Sequence, residues 1–253
     1  MIDLHTHVLP GIDDGCRTLD DSIALVQAAA AGGITALAAT PHVSFDYPTE
    51  SETMERLVEE VRTAVADRGI RVEILPGGEL ALDKLLTLEP EEVARFGLGG
   101  NPHVVLLEFP YTGWPLGLDG AVFRLQAGGT TVVLAHPERN AEVQAEPSSL
   151  AELVERGALV QVTAASLDGR LGGSSRRAAR VLLERGLAHL LATDAHTIDV
   201  RRGGFDAAVE AVGDPVLARW LTYDVPRALV DGNPLPKRPL GLRRRRRLFG
   251  GGR

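Results

Sequence analysis

Short, continuous apolar runs recur along the chain, each followed by an amphipathic stretch, and this alternation limits the fold more than any other feature. Seven such runs read as strands: Ile2–Leu4, Ala36–Ala39, Val72–Leu75, Val104–Leu107, Thr131–Leu134, Leu159–Val162 and Leu190–Ala192. They are rich in Val, Leu and Ile and lack the polar/apolar alternation of a half-solvated strand, as buried parallel strands do. Helical patterns fill the gaps at about 19–31, 49–68, 90–95, 118–127, 148–156, 174–185 and 204–212. Gly32, Gly69, Gly128, Gly157 and Gly186 stand where several of these helices stop before the next strand. Regular βα alternation over 253 residues predicts one α/β domain, either a barrel or a doubly wound sheet. It spans 1–232, and the Pro-, Gly- and Arg-rich segment 233–253 reads as a basic tail.

Several functions are excluded by what is missing. A single cysteine, Cys16, makes no internal disulfide, CxxC pair or four-cysteine zinc site. A cysteine-nucleophile tyrosine phosphatase needs Cys-x5-Arg, and Ser22 stands six residues after Cys16. No apolar run approaches the roughly 20 residues of a membrane span. The opening Met-Ile-Asp-Leu-His resembles no secretory leader, which predicts a cytoplasmic protein.

Charge is unevenly placed. The net charge is −7, yet eight basic residues fall from Lys237 onward, leaving 19 of the 27 basic residues against all 34 acidic ones in residues 1–236. An acidic body of this kind does not bind nucleic acid, which needs a positive face, but it suits cations. The run Arg243–Arg247 reads as a solvated tail, or as a weak contact with anionic membrane.

The informative residues stand immediately after the strands. Strand by strand, the chain delivers His5 and His7, then His42, Glu79, Glu108, His136, and finally Asp194 and His196. In α/β barrels the C-terminal ends of the strands carry the chemistry. His5 and His7 are two residues apart on an extended segment and face one side, and Asp194 and His196 repeat that spacing. Glu108 follows four apolar residues, and a buried glutamate is uncommon unless paired or metal-bound. Asp14, in Asp13-Asp14-Gly15, is a further candidate, though this segment also reads as a turn capping the next helix. Imidazole with carboxylate and no thiolate suits manganese, iron or zinc. Nine donors, one of them shared, supply two or three divalent ions. His103 precedes its strand and belongs to the opposite rim, and His189, at the start of the last strand, reads as a surface or core histidine.

At these residues the chain resembles the polymerase and histidinol phosphatase (PHP) superfamily, and within it the bacterial manganese-dependent protein-tyrosine phosphatases of capsule and exopolysaccharide operons, the CpsB/YwqE type. The matching segments are 3–15 (DLHTHVLPGIDDG), Ala39-Thr40-Pro41-His42, Gly78-Glu79-Leu80, Leu107-Glu108-Phe109-Pro110, Ala135-His136-Pro137-Glu138-Arg139, 161–167 (QVTAASL) and Thr193-Asp194-Ala195-His196. The resemblance implies a distorted seven-stranded (β/α) barrel with a trinuclear centre. By it, His5, His7, Glu79 and Asp194 hold one ion, Glu79, Glu108 and His136 a second, and Asp14, His42 and His196 a third. Glu108 stands where many other members of the superfamily have His. Arg139 matches a phosphate-binding arginine, and Arg201, ahead of Arg202, the second one. Asn140 stands where the family often has an aromatic residue. The implied reaction is hydrolysis of phosphotyrosine on a protein, a bacterial tyrosine kinase that controls polysaccharide synthesis, by metal-hydroxide attack. The rival is another phosphomonoesterase of the superfamily, such as histidinol-phosphate phosphatase. A proofreading exonuclease fits the acidic body poorly, and a non-catalytic metal-binding regulator has no need of so complete a ligand set.

Overall fold

Residues Ile2–Thr6 form β1, and all five are buried although Asp3, His5 and Thr6 are polar. Such burial requires hydrogen-bond partners. The Asp3 carboxylate accepts from the backbone N–H of Thr193 (3.0 Å) and of His5 (3.3 Å), and Thr6 Oγ1 donates to Ala38 O (2.7 Å). The computed structural model describes residues 1–197 and 205–239. The remaining strands are β2 Ala36–Ala39, β3 His42–Val43, β4 Glu73–Leu75, β5 Glu79–Ala81, β6 Val104–Glu108, β7 Thr131–Leu134, β8 Leu159–Thr163 and β9 Leu190–Ala192. All pair in parallel, in the orders β1-β2-β4 and β3-β5-β6-β7-β8-β9. The segment after β9 returns to β1, where His7 N–H donates to Ala195 O (2.9 Å) and Asp194 N–H to His5 O (2.8 Å).

The result is a mixed α/β fold with a curled parallel sheet, in which the described residues make nine strands and not the seven expected. Two of the expected strands, 36–39 and 72–75, are each followed by a further short strand. Pro41, which has no N–H for the ladder, separates β2 from β3. Pro76-Gly77-Gly78 separates β4 from β5, and a Cβ on Gly78 would come within 2.7 Å of Phe96 Cδ1. The short strands beyond these breaks carry site residues, and their parallel register sets His42 beside Glu79 and Ala81 beside Glu108.

The helices follow from local chemistry. Leu19–Ala31 starts at a capping box in which Thr18 and Asp21 satisfy each other's backbone N–H groups. Gly173–Glu184 buries Ser175, Ala178, Ala179 and Leu182, an i, i+3, i+4, i+7 stripe against the core. The helical region 215–231 was absent from the sequence reading. It comprises Pro215–Arg219, capped by the Asp214 side chain, a π-helical turn Trp220–Asp224, and Val225–Asp231. Residues 233–239, the start of the expected tail, are bound to the body. Trp220 Nε1 donates to Pro236 O (3.0 Å), and Arg238 donates to Ala188 O (2.5 Å) and Leu183 O (3.0 Å) while lying over the Trp220 ring. Arg243–Arg247 lies outside the described residues. Among the described residues, no helix is long and apolar enough to cross a membrane.

Candidate metal centre

Each interrupted or terminated strand directs its last polar side chain to the same rim. Glu79 lies at the centre, fully buried. Its Oε2 faces His42 Nδ1 at 3.0 Å, His5 Nε2 at 3.2 Å and His7 Nε2 at 3.3 Å, yet makes no well-formed hydrogen bond. Its Oε1 lies 2.9 Å from His136 Nε2. Asp194 Oδ1 is 3.3 Å from His7 Nε2, 3.5 Å from His196 Nδ1 and 3.6 Å from His5 Nε2. Towards solvent, Asp14 Oδ1 is 3.1 Å from His196 Nε2 and 3.5 Å from His42 Nε2. Glu108 lies 3.6 Å from His42 Nδ1 and 3.9 Å from His136 Nε2.

The outer partners of the imidazoles decide what the inner nitrogens can do. Gln161 Oε1 accepts the backbone N–H of His136 (3.2 Å), which identifies it as oxygen, so His5 Nδ1, 3.0 Å away, is its second donor. Asp13 Oδ2 likewise accepts from the His42 backbone (3.0 Å) and from His7 Nδ1 (2.7 Å). In the neutral rings, both Nε2 atoms then present lone pairs to each other at 3.3 Å. Two facing lone pairs beside a carboxylate oxygen without a hydrogen bond repel unless a proton or a metal cation lies among them. Fixing the outer nitrogen on a carboxylate or carbonyl is how proteins orient metal-binding histidines. The donor set therefore fits divalent metal ions. Donor atoms within 4.8 Å of one another form four overlapping groups: His7, Asp14, His42 and His196; His5, Glu79 and His136; His5, His7 and Asp194; and His42, Glu79 and Glu108. All nine sequence-predicted donors occur in them. Glu108 groups with His42 and Glu79, and its other oxygen lies 3.9 Å from His136, which the resemblance sets with Glu79 and Glu108.

Without a cation, the charges here are strongly perturbed. Burial by itself raises the Glu79 carboxyl, but the imidazoles of His5, His136 and His42 hold it well below the usual range. Glu108 has less compensation: burial, with the nearby Glu79 charge, pushes it up to about 7. Burial lowers His136 despite Glu79. His136 and Asp194 also adopt left-handed backbone (φ 33° and 51°), a strain of order 1–3 kcal/mol each that is typical of functional turns.

Arg139 approaches from one side. Its Nη1 donates to Asp194 Oδ2 at 2.8 Å, and its guanidinium lies 4.5 Å from the centre of the Tyr111 ring. Asn140 does not point into the site. It is buried, caps the helix Ala141–Ala145 through Glu142 and Val143 N–H, and donates to Pro110 O (2.7 Å) and Gly113 O (3.0 Å). Asn140 thereby holds the loop that carries Tyr111. Arg201 and Arg202 lie outside the described residues. Cys16 is buried, which pushes its thiol up to about 11, the wrong direction for a thiolate nucleophile.

Three residues escaped the sequence reading: Asp13, Gln161 and Tyr111. A signal existed for two of them. Gln161 is the one amide in the apolar strand Leu159–Thr163, and Asp13 adjoins Asp14. His103 and His189 stay away from the centre, as expected. His189 Nδ1 accepts from Val160 N–H on the opposite rim.

The family described as capsular polysaccharide synthesis, CpsB/CapC, matches residues 1–218. Among curated proteins, the chain is 31% identical over 261 residues to the tyrosine-protein phosphatase YwqE of Bacillus subtilis, covering 99% of both chains. It is 28% identical over 210 residues to the tyrosine-protein phosphatase CpsB of Streptococcus agalactiae, covering 79% of this chain and 85% of that one. A solved structure from work on YwqE of Bacillus subtilis and CpsB of Streptococcus pneumoniae, described as metal-dependent tyrosine phosphatases, matches with a TM-score of 0.83 at 30% identity, over 94% of this chain and 98% of that chain.

Proposed function

The chain belongs to the CpsB/CapC family of capsular polysaccharide synthesis, and on that premise we propose that it is a metal-dependent phosphatase that hydrolyses phosphotyrosine on proteins. The observation that carries this reading is the convergence of five imidazoles and four carboxylates around Glu79, with the Arg139 guanidinium beside them. His5, His7, Asp14, His42, Glu79, Glu108, His136, Asp194 and His196 hold two or three divalent ions, with manganese first and iron or zinc as alternatives, because the donors are nitrogen and oxygen only. When bound, such ions supply Lewis acidity, polarising phosphoryl oxygens and lowering the pKa of water.

The chain's own residues do the rest. Arg139 spends Nη1 on Asp194 and turns its remaining N–H donors to the phosphoryl oxygens, which a guanidinium fork suits. Arg201 is the second phosphate-binding arginine in this reading. Gln161 and Asp13 keep His5 and His7 in the tautomer that leaves Nε2 free for metal. A phenol leaves with a pKa of about 10 and needs only modest acid assistance. The substrate we favour is an autophosphorylated bacterial tyrosine kinase, met in the cytoplasm, with Arg243–Arg247 able to touch anionic membrane nearby. Seven strand positions closing as a distorted barrel also belong to this reading, supported by the hydrogen bonds from His7 and Asp194 across to the opposite end of the sheet.

Turnover of phosphotyrosine peptides, phosphoserine peptides and histidinol phosphate by the Mn²⁺-loaded protein tests it. Phosphotyrosine should be preferred. Faster turnover of histidinol phosphate would replace this reading with the small-molecule one.

A further inference from the structure

Among the described residues, seven large apolar side chains are exposed, and four of them, Phe45, Leu86, Tyr111 and Leu116, line a single cleft of about 700 Å³. The cleft opens beside the metal centre, since Asp14, His42 and Glu108 also line it. Leu116 is 95% exposed and Phe45 61%. Exposed apolar side chains scattered singly need no explanation, but a group gathered at one cleft marks an interaction site.

The walls come from the short helix Leu82–Leu85 with Leu86 at its end, and from two loops. Phe45 follows β3, and Tyr111 and Leu116 follow β6. The loop after β6 is held in place: Asn140 Nδ2 donates to Pro110 O and Gly113 O, and Ala141 N–H to Tyr111 O (2.8 Å). A wall fixed before binding spares ordering entropy on association. Charge at the cleft is mixed: Asp46 and Asp83 line it, while Lys84 Nζ lies 5.4 Å from the centre of the Phe45 ring and Arg139 lies over Tyr111.

We infer that this cleft receives an apolar side chain flanking the phosphotyrosine of a peptide substrate. The inference rests on the phosphotyrosine reading of the adjoining centre and adds a sequence preference to it. The volume is that of a whole ligand site, enough for more than one phenol ring. Side chains two positions apart in an extended peptide point to the same side, roughly 7 Å from each other, so a residue two positions from the reacting tyrosine reaches the same cleft.

The test compares peptides that carry Leu, Gly or Glu two positions from phosphotyrosine, with p-nitrophenyl phosphate as a substrate that has no flank, all with Mn²⁺-loaded protein. The Leu peptide should exceed both the Gly and the Glu peptide about tenfold in kcat/KM, as an apolar subsite provides. Leu116→Ala and Phe45→Ala, both on the surface, should abolish the Leu preference and leave p-nitrophenyl phosphate turnover within about twofold. Equal turnover of the three peptides overturns the inference. So does an equal loss on p-nitrophenyl phosphate in the variants, which would mean that the cleft serves the tyrosine ring alone, and so does a Leu preference that survives both substitutions. If the wild-type protein hydrolyses no phosphotyrosine substrate, the underlying reading falls and takes this inference with it. Hydrolysis without a flank preference defeats this inference alone.

Discussion

His136 is buried and His189 partly buried, and burial drives both rings towards the neutral form, yet they sit in opposite surroundings. His136 leaves the C-terminal end of β7 and meets Glu79 at 2.9 Å, with Glu108 further out. His189 enters the N-terminal end of β9, accepts a backbone N–H from Val160 and lies beside Trp220. At the N-terminal rim the protein satisfies its polar groups from within: Arg238 donates to two carbonyls and Trp220 to a third. At the C-terminal rim, imidazoles and carboxylates face one another without enough protons to pair them all. Burial alone therefore does not identify a ligand. What separates the two histidines is whether the protein itself completes the partner set.

The largest expected effect breaks this contrast directly. His136→Ala and His5→Ala should each lose bound metal and all measurable phosphatase activity, whereas His189→Ala should keep both, as metal analysis and p-nitrophenyl phosphate assays would reveal. Retained metal and activity in His136→Ala would erase the distinction between the rims.

Next in size is Arg139→Ala, predicted to raise KM and lower kcat, about a hundredfold in kcat/KM, with metal content unchanged. Loss of metal in that variant would turn Arg139 from a phosphate binder into a support for Asp194, its partner at 2.8 Å.

Gln161→Leu and Asp13→Ala should weaken metal binding about 10–100-fold, measured by titration with Mn²⁺, because each removes the acceptor that sets an imidazole's tautomer. Wild-type affinity in Gln161→Leu would dissociate the buried amide from the centre.

The smallest effect sharpens the other side. Burial, aided by the Arg238 charge, lowers His189 from 6.5 to about 4. Between those values the unfolded chain takes up a proton that the folded one refuses, so stability falls as pH drops from about 6.5 towards 4. The full contribution is about 3 kcal/mol. His189→Asn keeps an acceptor for Val160 and removes the titration. Thermal melts at pH 7 and pH 4.5 should then differ less for the variant than for the wild type.

Much of this was legible in the sequence because it is local. The helix Leu19–Ala31 carries its capping box within four residues, and buried strands advertise themselves as unbroken apolar runs. The metal candidates could be found because each stands where such a run ends. The helices between Pro215 and Asp231 were missed because Pro215 and Pro226 and a π turn interrupt their periodicity. The two further short strands were missed because Pro41 and Gly77-Gly78 read as strand ends, and the two- and three-residue strands beyond them are too short to show a period.

The sequence by itself determined the βα alternation, the nine candidate donors and their shared position at strand ends, since these depend on residue type and short-range spacing. Only the tertiary structure decided which atoms meet. Gln161 reaches His5 across 156 positions, Asn140 fastens a loop 30 positions earlier, and four apolar side chains from separate segments form one cleft. The physical reason is that a hydrogen bond or an apolar contact depends on distance in space. Spacing along a chain sets that distance within a helix or a strand, and packing sets it everywhere else.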